Sequence, residues 1–89
     1  MIEVTRRDHE NYTVTVEGAT TTRHEVKLSA ACHEDLTGGK ATPEALIEES
    51  FRFLLEREPN TSILSSFELS LIGRYFPEYR KEIRQRVGT

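Results

Sequence analysis

The chain carries a single cysteine, Cys32, and no tryptophan among its 89 residues. One thiol excludes any internal disulfide, so the fold must rest on its core, as in a reducing compartment. A cytoplasmic setting is the expectation. Long apolar runs are also missing. The longest candidate, Phe51 to Leu55, is interrupted by Arg52, far short of the ~18 residues a membrane helix needs. No membrane partner is expected. Glu3, Arg6, Arg7, Asp8, Glu10 and Glu17 fall within the first twenty residues, so no secretory apolar segment is expected among them. Glycine and proline number only five and three, and no repeat, linker or low-complexity stretch is visible.

A surplus of positive charge is lacking too. The formal net charge is −3, but it is unevenly placed. Residues 1–73 hold seven Lys/Arg against thirteen Asp/Glu, a net −6. Residues 74–89 hold Arg74, Arg80, Lys81, Arg84 and Arg86 against Glu78 and Glu82, a net +3. An acidic body argues against broad nucleic-acid binding, because that affinity rests on neutralising phosphates.

What remains is an ordinary globular composition of one domain's length, residues 1–89. The expected architecture is α+β. A β-meander in residues 1–28 packs against a helical part in residues 29–87. Ile2 and Val4, then Tyr12, Val14 and Val16, then Thr22, His24, Val26 and Leu28 alternate with polar residues. Period two with β-branched enrichment predicts three half-buried strands. Asp8-His9-Glu10 and Gly18-Ala19-Thr20 are the turn segments. Placing apolar residues on one face fixes the register. It pairs Ile2 with Val16, Val4 with Val14 and Arg6 with Tyr12. It then pairs Tyr12 with Val26, Val14 with His24 and Val16 with Thr22. The result is a three-stranded antiparallel meander with its second strand central.

Ser29 caps a short helix through Leu36, which Gly38-Gly39 stops. Thr42 caps a second helix. Pro43 suits its first position and Glu44 its positive end, and it runs to about Arg57. Ile47, Phe51, Leu54 and Leu55 form its apolar stripe, widened by Leu46 and Phe53, so it faces more than the sheet. Asn60-Thr61-Ser62 reads as a turn. From Ile63 to Tyr75 both periods fit. Phe67, Leu69 and Leu71 alternate, while Leu64, Phe67, Leu71 and Ile72 match a helix, and a short helix over Phe67–Arg74 is the expectation. Pro77 opens a last helix to about Arg86, with Tyr79 and Ile83 inward. Tyr12, Val14, Phe51 and Leu54 are expected in the core.

The segment Leu46-Ile47-Glu48-Glu49-Ser50-Phe51-Arg52-Phe53-Leu54-Leu55-Glu56-Arg57-Glu58 resembles a small family of bacterial proteins with no assigned activity. Ser62-Ile63-Leu64, Phe67 and Tyr75-Phe76-Pro77-Glu78-Tyr79 are similar as well. The resemblance spans the last two-thirds of the chain. It implies a bacterial stand-alone protein and transfers no catalytic residue.

Candidate chemistry is sparse. Cys32-His33-Glu34-Asp35 gathers reactive types, but adjacent helical residues point about 100° apart. A base for Cys32 would have to be His9 or His24 from the sheet. The bland reading is a small packed cysteine beside an exposed histidine. The histidines at 9, 24 and 33 lack metal-ligand spacing, and His24 reads as a rim residue of an outer strand. Gly38-Gly39-Lys40-Ala41-Thr42 fails the phosphate-loop pattern, with Glu34 and Ala41 at required positions. No cofactor, metal or catalytic residue is expected. Tyr75-Phe76-Pro77-Glu78-Tyr79-Arg80-Lys81 interleaves aromatic and basic residues, as single-stranded nucleic-acid sites do. The plainer reading places Tyr75, Phe76 and Tyr79 in the core beneath a solvated basic face. A small non-catalytic interaction or regulatory module is therefore expected. Arg74, Arg80, Lys81, Arg84 and Arg86 are its candidate contacts to a protein partner, to a second copy's acidic body or, alternatively, to nucleic acid.

Overall fold

Alternation builds β1 (Ile2–Arg6), β2 (Asn11–Val16) and β3 (Thr22–Lys27) in a computed structural model that describes residues 1–87. The three strands pair antiparallel in the registers that apolar parity dictates. Ile2 faces Val16, Val4 faces Val14 and Arg6 faces Tyr12. Tyr12 faces Val26, Val14 faces His24 and Val16 faces Thr22. Tyr12, Val14, Val16 and Val26 are buried as a result. Asp8 shapes the first turn by accepting the Glu10 and Asn11 amides at 3.0 and 2.9 Å, a turn chemistry suited to Asp.

Capping sets the next two elements. In α1 (Ala30–Thr37) the Ser29 hydroxyl accepts the Cys32 amide, and Gly38 closes the helix at φ 60°. A positive φ is a conformation that glycine enters without steric cost. In α2 (Pro43–Leu55) the Thr42 hydroxyl accepts the Ala45 amide and Pro43 takes the first turn. Leu46, Ile47, Phe51, Phe53 and Leu54 are all buried along α2. So wide an apolar face needs cover on two sides, and it has the sheet on one and the C-terminal third on the other.

The expected three-stranded meander is incomplete. A fourth strand, β4 (Ser66–Glu68), pairs parallel with β3, with Phe67 opposite Val26, and the sheet order is β1-β2-β3-β4. The helix expected over Phe67–Arg74 is thereby corrected. Its first residues form β4, Leu69–Leu71 form a 3₁₀ turn, and only α3 (Ile72–Tyr75) is α-helical. The residues 29–87 assigned to helices thus contain a strand. The physical reason is the exposed edge of β3, whose backbone groups need partners. The Glu25 amide finds one in the Ser65 carbonyl at 2.8 Å.

The last element, α4 (Tyr79–Arg86), buries Tyr79 and Ile83 against α2. Tyr79 and Phe76 meet the Phe53 ring edge-on at 5.2 and 5.9 Å. The Tyr79 and Ser50 hydroxyls share a hydrogen bond of 2.7 Å in the core, and Ser50 is bonded to the Leu46 carbonyl. Burial pushes the Tyr79 phenol far above its ordinary range, so it stays neutral. The helices cover one face of the sheet. The other face presents Glu3, Thr5, Thr15, Arg23, Glu25 and Lys27 to solvent.

Candidate functional site

The clearest concavity is an apolar groove of about 360 Å³ at the β4 end of the molecule. Leu54 of α2, Phe67 of β4, Leu71 and Ile72 line it, with Leu64 and Tyr75 at its rim. Leu64 is 48% exposed and Tyr75 65% exposed. Tyr75 was expected in the core with Phe76 and Tyr79. Only Tyr79 is fully buried, because α3 ends after one turn and turns Tyr75 outward. Exposed large apolar side chains around an apolar groove characterise a binding surface more than a folding requirement.

Polar bonds hold one wall of this groove in place. The Asn60 amide donates to the Thr20 carbonyl at 2.7 Å and to the Thr22 hydroxyl at 3.0 Å. The Thr22 hydroxyl in turn shares a hydrogen bond of 2.9 Å with His24 Nε2. His24 Nδ1 then donates to the Leu64 carbonyl at 2.7 Å. His24 is 2% exposed, so the rim position expected from the sequence is corrected. The 60–64 segment and β4 fold over that edge of β3 and enclose the ring.

The basic tail finds its acidic partners within the same chain. Arg80 bridges Asp35 of α1 at 2.8 Å. Arg86 bridges Glu56 at 2.8 Å, and Glu82 lies 3.8 Å away. Arg57 joins the cluster, pairing with Glu78 and Glu82 while its guanidinium stacks 3.6 Å above the Phe53 ring. Arg84 contributes to the field at Asp35. Arg74 and Lys81 are exposed on α3 and α4. The five candidate contacts therefore do not converge on one site, and two of them clamp α4 to the acidic body.

These pairs give the fold an acid-sensitive component. The Arg80 hydrogen bond holds Asp35 below its usual 3.8, and the Arg86 bond holds Glu56 below 4.5. Glu78 is lowered by its own backbone amide and by Arg57. A carboxylate with a lowered folded-state pKa stabilises above its unfolded value, and the contribution disappears as pH falls through the folded value. Thermal melts should therefore hold steady above about pH 5 and lose midpoint as pH drops below 4.5 and then 3.8. Added salt should shrink the effect, because these pairs are solvent-exposed. A midpoint independent of pH down to about pH 3 would contradict the assignment.

The reactive cluster of α1 is taken up by structure. His33 Nε2 donates to the Ala41 carbonyl at 2.6 Å, which ties α1 to the turn before α2. Burial pushes the Cys32 thiol up, and the Asp35 and Glu68 carboxylates push it further. A nucleophilic thiol needs the opposite environment. Cys32 lines a smaller polar recess of about 170 Å³ with Lys27 and Glu68. Among the described residues no three His, Cys, Asp or Glu side chains gather as a metal site. Nor, among those residues, is any helix long and apolar enough to cross a membrane.

Fold and site together define a small α+β domain with a mixed four-stranded sheet and an apolar surface groove. No protein-family model, curated protein or solved structure matches the chain.

Proposed function

We propose that the chain is a small, non-catalytic, cytoplasmic protein-interaction module whose binding surface is the groove rimmed by Leu64 and Tyr75. The observation that carries this reading is the pairing of two exposed, large apolar side chains with a preformed apolar groove. The polar chain from Asn60 to Leu64 supports it, because a wall held by directional bonds loses little freedom when a partner binds. Membership in the bacterial family that the Leu46–Glu58 and Tyr75–Tyr79 segments resemble belongs to the same proposal.

Nucleic-acid binding is the weaker reading. Arg80 and Arg86 already hold carboxylates. The open sheet face carries no aromatic residue among those described, whereas RNA-binding sheets stack bases on aromatics.

Selection of displayed random peptides on the immobilised protein tests the interaction reading. Peptides with a bulky apolar anchor should be enriched, and Leu64→Ser and Tyr75→Ser should each lower their affinity. Both positions are exposed, so the variants should keep their thermal midpoints. Selection of no peptide, or binding indifferent to both substitutions, would overturn the proposal.

A further inference from the structure

The groove is flanked by charges that the fold leaves without partners. The Glu58 carboxylate lines the groove and has no hydrogen-bond or ion-pair partner among the described residues. It stands out because Glu56, Glu78 and Glu82 nearby are all paired with arginines. Arg74 sits beside Tyr75 on α3, is exposed, and likewise has no side-chain partner among the described residues. The patch thus holds an apolar recess, an apolar projection, one anion and one cation. Each half of that list complements the other half.

A surface that complements itself fits a two-fold axis, since an isologous contact repeats every interaction with the roles exchanged. We infer that the occupant of the groove is a second copy of this chain. Tyr75 of each protomer packs into the groove of its partner, and Arg74 of each pairs with Glu58 of the other. The inference rests on the interaction reading above and names its partner. Arg80 and Arg86 take no part, because they are already held within their own chain. Among the described residues only Met1, Leu64 and Tyr75 are exposed large apolar side chains. The contact therefore lies at the small end of specific interfaces, below about 1,200 Å² in total. It makes a dimer in dynamic exchange, dissociating in the ~100 µM range.

Sedimentation equilibrium of the full chain from about 10 µM to 1 mM tests this. The expected result is a monomer–dimer equilibrium that Tyr75→Ser abolishes. Glu58→Arg and Arg74→Glu should each weaken dimerisation about tenfold, because each sets like charges face to face twice. Mixing those two variants is the decisive arm. The new arginine of one then faces the new glutamate of the other, and the native Arg74 faces the native Glu58. The mixture should form a heterodimer within about threefold of the wild-type affinity. All three positions lie at the surface, and unchanged circular dichroism would confirm that the variants fold.

A chain that stays monomeric up to about 1 mM would overturn the inference. So would a dimer indifferent to Tyr75→Ser, or a mixture that dimerises no better than its two components. If the chain is monomeric yet apolar-anchored peptides bind the groove, the self-association fails and the interaction reading stands. If neither is seen, both fail.

Discussion

Replacing Phe51 with alanine lowers the stability of the fold by about 3–5 kcal/mol. The ring is fully buried at the centre of α2. It lies 5.3 Å from the His24 ring and 6.0 Å from the Phe67 ring, so it joins α2 to β3 and β4 together. Truncation removes the transfer energy of a large apolar side chain and leaves a cavity between elements too well tied to collapse. A domain of this length has a total stability of only about 4–13 kcal/mol. The variant should therefore be largely unfolded or unfold at much lower urea. Phe51→Leu, which keeps most of the volume, should lose about 1.5 kcal/mol or less. Urea titrations followed by circular dichroism give both numbers. A loss below about 1 kcal/mol for the alanine variant would mean that this contact is not central.

The second large effect is expected at His24. Leucine fills a similar space, so His24→Leu isolates the loss of polar partners. The Leu64 carbonyl and the Thr22 hydroxyl would both lose the ring nitrogen each now contacts. A buried polar group left unsatisfied costs about 1–3 kcal/mol; the Thr22 hydroxyl keeps the Asn60 amide, so the stranded Leu64 carbonyl sets an expected loss of about 1–3 kcal/mol. The network origin of that loss can be separated from packing. Thr22→Val added to His24→Leu should cost less than the sum of the two single changes, because both break the same Thr22–His24 bond. Strict additivity would show that the polar chain is not a unit. The same variant should speed amide exchange at residues 63–68, the wall that His24 anchors.

How much of this was legible in the sequence can be traced residue by residue. The meander was, down to its pairing. Ile2, Val4, Tyr12, Val14, Val16 and Val26 share a parity, and a one-residue slip would have turned each of them to water. Both ends of α1 and the start of α2 were equally plain, because Ser29, Gly38, Thr42 and Pro43 are local signals acting within four residues, whereas α2 ends at Leu55 and not at about Arg57. β4 was not. Three residues are too few for alternation to outvote helical spacing, and its partner Val26 lies 41 positions away. No local propensity encodes that pairing.

The site was harder still. His24 shares the inward parity of Val26, but nothing within β3 shows that its edge is covered, since the carbonyl that satisfies it belongs to Leu64. Tyr75 has the same spacing to Tyr79 as a core pair would, and only the early end of α3 turns it outward. The basic character of residues 74–89 is plain in the composition and led to the expectation of an outside partner or a second copy's acidic body. What the composition did not reveal is that Asp35 and Glu56 of the same molecule supply it.

The parallel pairing of β3 with β4 also orders events in time. The hairpins close over short stretches of chain, Val16 meeting Thr22 across five residues. The β3–β4 contact must first bring together residues 25 and 66. Closing a longer loop costs more entropy before any contact rewards it, so local pairings come first. The meander and α2 can therefore assemble while the last third of the chain is still leaving the ribosome. The groove cannot, because Leu64, Phe67 and Tyr75 all lie in that last third. A chain cut before these residues would have a nearly complete sheet and no surface for a partner, so association can begin only once residues 64–75 have emerged and folded back.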